Sequence, residues 1–220
     1  MKISFSTRGW KELTWDELKE VAIEMDFAGI EVYDLHCCKE LTDKGAAFHK
    51  YNTQATVRGL RDAKLEIPCF DTSIDITSDE NSVDTLKELI SIAGSMSVPY
   101  VACCVMNDNE EKVREALDEL VPFAEEKKVC ILITTNGAYS DTKKLRELMD
   151  SYACDFLAAL WDVHHPFRDD NETPAETITN LGAYVKHVHM KDSDSADKYN
   201  LIGEGIMPIG DIRRALVSVD

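Results

Sequence analysis

The chain has 220 residues, 44% of them apolar and 30% charged, which describes one folded domain over residues 1–220 that buries roughly 70% of its unfolded surface. Its 24 basic against 41 acidic side chains give a net charge of −17, which repels a phosphate backbone unless the basic residues gather on one face, so no nucleic-acid partner is expected. No run approaches the roughly 18 apolar residues of a membrane span, Met1 to Trp10 holds no apolar stretch of leader length, and the seven cysteines form no C-x-x-C pair, so a cytoplasmic chain with reduced thiols is expected.

Short β-rich runs alternate with longer stretches of helical period. Lys2–Ser6 reads as a first strand, and Thr14-Trp-Asp-Glu17 as a capping box that opens a helix with Leu18, Val21, Ala22 and Met25 on one face. Gly29–Tyr33 is the second strand, followed by a helix from about Gly45 to Lys64. Leu65–Phe70 is the third, and its helix carries Val83, Leu86, Ile90 and Ala93 at offsets of three and four. Tyr100–Met106 is nearly all apolar, as a strand covered on both faces should be, and is followed by a helix presenting Val113, Ala116, Leu117, Leu120 and Ala124.

Val129–Thr134 is the fifth strand. Asp141 caps a short helix with Leu145, Leu148 and Met149 inward, Phe156–Val163 is the sixth strand, and Thr173-Pro-Ala-Glu176 combines a Thr cap, Pro at the first helical position and Glu at the third. Tyr184–Met190 is the seventh strand, and Ile209–Val217 reads as a helix beyond a Gly-containing loop. Seven strand–helix units of about 30 residues are the arithmetic of an α/β fold of the (β/α)8 TIM-barrel type without its eighth strand, which places function at the carboxyl ends of the strands. The first strand is not followed by G-x-G-x-x-G, so a dinucleotide site is not expected there.

Two strand ends carry candidate chemistry. The sixth runs into Asp162-Val-His-His165, and the seventh holds His187-Val-His189-Met-Lys191-Asp192, where alternation puts His187, His189 and Lys191 on one face. A carboxylate and an imidazole from adjacent strands, Asp162 and His189, make half of a site for a divalent ion such as Mn, Zn or Co. The same residues also fit a plainer description, in which Asp162 and His165 satisfy loop backbone and one of the two histidines is a hydrogen-bonded core residue.

Taken together, the opening K-I-S-F-S-T, G-I-E-V at Gly29 to Val32, L-I-T-T-N-G-A-Y-S-D-T at Leu132 to Thr142, W-D-V-H-H at Trp161 to His165, H-V-H-M-K-D at His187 to Asp192 and G-E-G at Gly203 to Gly205 resemble the sugar-phosphate isomerase/epimerase group. That group has the xylose-isomerase-like barrel and shares its fold with the apurinic endonucleases. The resemblance spans essentially the whole chain. It implies one divalent ion (Mn, Zn, Co or Mg) held by Glu on strand five, Asp on strand six, His on strand seven and Glu on strand eight. Asp162 and His189 match the middle pair, and His165 matches the histidine that contacts substrate oxygens in catalysis.

The fifth-strand glutamate falls at Thr134, where this chain has a neutral hydroxyl, and the eighth-strand glutamate would lie past Asp220. Asn136 or Glu31 could reach the same space, and Lys191, Asn136 and His36 are candidate substrate-binding residues. The resemblance therefore implies a metal-assisted isomerase or epimerase that moves a proton next to a carbonyl of a small sugar or sugar phosphate. The alternative is a noncatalytic or regulatory barrel with a degenerate metal site. An apurinic endonuclease is disfavoured, because its several metals need more ligands and its substrate is repelled. Exposed edges at strands one and seven would pair with a second copy in a homodimer, or with a downstream segment completing the barrel.

Overall fold

The strands line up in the order in which the chain makes them. The computed structural model describes residues 1–79 and 81–218, so Asp220 lies outside the described residues. Its main sheet is parallel throughout, in the order β1 (Ser4–Ser6), β2 (Gly29–Tyr33), β3 (Cys69–Asp75), β4 (Tyr100–Cys104), β5 (Cys130–Thr134), β6 (Leu157–Asp162) and β7 (Val185–His189). The connections carry α1 (Trp15–Glu24), α2 (Lys39–Thr42), α3 (Thr53–Asp62), α4 (Ser82–Met96), α5 (Glu110–Lys127), α6 (Thr142–Tyr152), α7 (His164–Asp169) and α8 (Pro174–Leu181). A hairpin of β8 (Asp192–Ser195) and β9 (Lys198–Asn200) follows β7, and α9 (Ile209–Val217) comes last. Among the described residues no strand joins β1 to β7, so the sheet is a curled (β/α) barrel without an eighth strand. No helix among them is long and apolar enough to cross a membrane.

Strand alternation divides the side chains between the outer and inner faces of the sheet. Outward residues such as Ile30, Val101, Ile131, Ile133 and Leu157 merge with Leu86, Ile90, Leu117 and Leu120 of the helices into one large cluster. Inward residues Cys69, Ala102, Leu132, Ala158 and Leu160 form a second, smaller cluster that fills the lower barrel. Two residues further along the same strands, the inward positions turn polar: Asp71 after Cys69, Thr134 after Leu132, Asp162 after Leu160. The apolar plug is the floor on which a polar chamber stands.

Several boundaries depart from expectation for identifiable reasons. The third strand was expected over Leu65–Phe70 but forms over Cys69–Asp75, because Pro68 offers no N–H to the ladder. Before it, Glu66 alone bridges β2, its carbonyl accepting from the Ile30 N–H at 2.9 Å. A Cβ on Gly29 would stand 2.4 Å from that carbonyl oxygen, which is why glycine opens β2. The helix expected from Gly45 begins at Thr53, since Gly45 has a left-handed φ of +99° and the chain turns there instead.

The β8–β9 hairpin and α7 fall where only loop was expected. Their sequences lack alternation or helical period, and for the hairpin a buried carboxylate supplies the order. Asp192, 1% exposed, accepts N–H groups from Ser193, Gly203, Gly205 and Met207 at 2.8 to 3.1 Å, which gathers residues 192–207 around one side chain. These four donors hold its pKa below the usual carboxylate value against the opposing effect of burial. Asp192→Ala should make the 193–206 segment about tenfold more susceptible to limited proteolysis while the seven-stranded sheet stays protected, as read by mass spectrometry of the first cleavage products. Unchanged cleavage would show that the segment is held by something else.

Candidate active site at the carboxyl ends of the strands

The centre of the polar chamber is Glu31, at the third position of β2 and only 3% exposed. Its Oε2 meets the Nε2 of His187 at 2.7 Å and the Nε2 of His189 at 2.8 Å, both from β7, the strand at the other end of the sheet. The two imidazole rings stand nearly perpendicular, 81° apart with centroids 5.5 Å from each other, so that both converge on one carboxylate oxygen. Burial by itself would raise the Glu31 pKa, but the hydrogen bonds and charges of the two histidines outweigh it and hold the carboxyl well below the usual range. His189 responds in the opposite direction: burial disfavours its charge, yet its bond to Glu31 and the charges of Glu31, Asp71 and Asp162 raise its pKa.

Asp71, inward on β3 and 7% exposed, lies in the same field. Burial, opposed by the His189 charge and assisted by Glu31, pushes its pKa up to about 7. A carboxyl that titrates near neutrality can both take and return a proton at physiological pH.

A second group is built on β6 and the turn after it. Asp162, 2% exposed, ends the strand, and its Cα is in register with that of His189. The ammonium of Lys191 stands 2.5 Å from its Oδ2, while Oδ1 accepts the His164 N–H at 3.1 Å. His165, at the start of α7, places Nε2 3.9 Å from Asp162 Oδ2 and Nδ1 2.9 Å from Asp169. Lys191 also lines a cavity of ≈ 360 Å³ with Arg8, Tyr199 and Asn200 between the ends of β1 and β7.

The structure therefore places Asp162, His165, His189 and Lys191 at one end of the sheet. Thr134 is buried and in register with Leu160, but the hydroxyl that reaches Asp162 is that of Thr135, which accepts the Asp162 N–H at 2.9 Å and donates to its carbonyl at 3.1 Å. Asn136 follows as a loop residue whose side-chain oxygen is buried without a partner among the described residues. His36 sits exposed on the short turn after β2, away from these bonds. Asp71 and Arg8 carried no signal in the sequence reading; shifting the third strand four residues later would have exposed Asp71 as an inward position.

The implied divalent ion can be tested against these donors. Of the four-ligand set that the resemblance implies, Asp162 and His189 are present and in register, but Asp162 is already paired with an ammonium, and Thr134 offers no charge. The described residues do bring three donor atoms together elsewhere, on Glu31, His187 and His189, all within 4.8 Å of one another. Imidazole nitrogen and carboxylate oxygen suit Zn, Co or Mn, so the chamber fits a divalent transition metal.

Residues 20–220 match the family model described as a xylose isomerase-like TIM barrel. No curated protein matches the sequence. Among solved structures, an IOLI protein crystallised with a zinc atom superposes with a TM-score of 0.82 at 13% identity, covering 100% of this chain and 86% of that one. A xylose isomerase domain protein from Planctomyces limnophilus gives 0.78 at 13% identity, covering 99% and 87%. A D-allulose 3-epimerase from Methylomonas sp. gives 0.75 at 15% identity, covering 100% and 81%. At such identities the likeness is one of fold.

Proposed function

Because the chain belongs to the xylose isomerase-like TIM barrel family, we propose that it is an isomerase or epimerase that moves a proton next to the carbonyl of a small sugar or sugar phosphate. The observation that carries this reading is the chamber itself: three buried carboxylates, two inward imidazoles and a lysine gathered at the carboxyl ends of the strands above an apolar floor. Enolisation needs a group that accepts a proton near neutral pH and a positive field at the carbonyl oxygen. Asp71, with its pKa pushed up to about 7, is suited to the first role.

Lys191 and His165, both beside Asp162, are suited to bind and orient the substrate oxygens, with Asn136 offering a side-chain oxygen that has no partner among the described residues. A divalent ion, when bound, supplies Lewis-acid polarisation of the substrate oxygens. The hairpin from Asp192 to Asn200 contributes Asp192, Tyr199 and Asn200 to the wall of the cavity that Lys191 also lines.

The test is solvent deuterium exchange. Ketopentoses, ketohexoses and their phosphates incubated with the protein in D₂O, with Zn, Mn, Co or Mg supplied in turn, should acquire deuterium beside the carbonyl, followed by NMR. Asp71→Asn should slow exchange by about 10²-fold or more, as loss of a positioned acid or base does. Absence of exchange across the whole panel would favour the noncatalytic barrel, the reading that Thr134 and the Lys191–Asp162 pair support.

A further inference from the structure

The two donor sets in the chamber share His189 and differ in their other members, Asp162 of β6 in one and Glu31 of β2 with His187 of β7 in the other. We propose that this chain holds a divalent transition-metal ion with Glu31, His187 and His189, on β2 and β7, and leaves Asp162 to Lys191. The proposal concerns the ion alone and stands whether or not a sugar is turned over.

Convergence is the first argument. The Nε2 atoms of both histidines point at the same carboxylate oxygen from 2.7 and 2.8 Å, with ring planes 81° apart. Donors around a tetrahedral ion at about 2.1 Å stand roughly 3.4 Å from one another, so admitting the ion asks each nitrogen to retreat from that oxygen by about 0.6 Å. The three donor atoms already lie within 4.8 Å of one another, close to the spacing such an ion asks of them.

Competition is the second. Asp162 Oδ2 holds the Lys191 ammonium and Oδ1 the His164 N–H, so recruiting it to an ion would break a buried ion pair and place Lys191 beside a dication. Among the described residues Glu31 has no lysine or arginine partner; its side-chain partners there are the two histidines, which can carry the metal as neutral ligands. The chemical type of the donors points the same way. Two imidazoles with one carboxylate match the three-protein-ligand pattern of zinc sites that leave a fourth position open, and they disfavour the oxygen-seeking Mg and Ca.

Isothermal titration of the full, chelator-stripped chain with ZnCl₂, together with the visible absorption of its Co²⁺ form, decides the matter. One ion per chain is expected, with MgCl₂ giving no heat. His187→Gln should weaken Zn binding by about 100-fold or more and change the cobalt spectrum, whereas Asp162→Asn should alter affinity less than about threefold. Circular dichroism melting of each variant confirms that it is folded. Glu31→Gln, if it folds, should behave like His187→Gln; if it does not, the His187 and Asp162 variants alone carry the test. Parent-like binding in His187→Gln, a large loss in Asp162→Asn, or a parent that takes up no zinc would each overturn the assignment.

Discussion

Lys191→Met should cost about 3 kcal/mol of stability, and adding Asp162→Asn should recover most of that loss. Asp162 is 2% exposed and its Oδ2 has the Lys191 ammonium as its close partner, so removing the lysine strands a carboxylate in a chamber that already contains Glu31 and Asp71. Asparagine at 162 keeps an oxygen for the His164 N–H, which the present Oδ1 accepts at 3.1 Å, and removes the uncompensated charge. The lysine side chain is 24% exposed, so part of the field is screened, which sets the figure at the lower end of the range for buried pairs. Urea denaturation of the parent, both single variants and the double variant closes the cycle. Additive losses would show that the pair contributes nothing as a pair.

The second large effect is a pH dependence carried by Asp71. Its pKa is pushed from 3.8 to about 7 in the folded chain, so between those values the folded state keeps a proton that the unfolded state has released. Stability in this window therefore falls as pH rises, and above about 7 the full cost of burying the charge is felt. His189 acts in the same direction: its raised pKa gives a stabilisation that is complete below 6.5 and is lost as pH climbs through the folded value. Glu31, with its lowered pKa, contributes stability that disappears only in acid, below its ordinary 4.5.

The metal-free protein should accordingly be most stable near pH 5 and lose stability toward pH 8. Asp71→Asn should match the parent near pH 4 and exceed it at pH 8 by up to about 4 kcal/mol, the free-energy equivalent of the shift. Denaturation midpoints measured with chelator present across pH 4 to 8 provide the check. A difference between parent and variant that does not vary with pH would mean that Asp71 is ionised throughout.

The strands were legible because apolar β-rich runs such as Tyr100–Cys104 and Cys130–Thr134 have few alternatives, and the two capping boxes at Thr14 and Thr173 marked helix starts that the structure reproduces. The α/β barrel without an eighth strand could be read from their count. Asp162, His165, His189 and Lys191 could be found at strand ends, because an ionisable residue closing an apolar run has few other reasons to be there. What the sequence hides is distance in space. Glu31 lies in a strand whose neighbours are buried and apolar, and nothing local says that its carboxylate faces β7. Asp71 was lost to a strand boundary, since Pro68 moved the strand toward the carboxyl end and carried Asp71 from the expected loop into the barrel. The hairpin after β7 depends on four backbone donors meeting one carboxylate, a pattern without sequence periodicity.

The reach of the Glu31 contacts also has a kinetic meaning. Neighbouring strands pair over short stretches of chain, as Ser4 does with Gly29, whereas Glu31 and His187 are 156 residues apart. Closing a loop of that length costs roughly 2–3 kcal/mol more entropy than closing a ten-residue turn, so the bond gains its full benefit only after the intervening strands have curled. The sheet can grow from either end by local pairing, and the junction between its second and last strands is made at the end of the process. The polar chamber is therefore the seam of the molecule: last to form during folding, first to part when the native state opens, and stiffened by anything that bridges Glu31 to the two histidines.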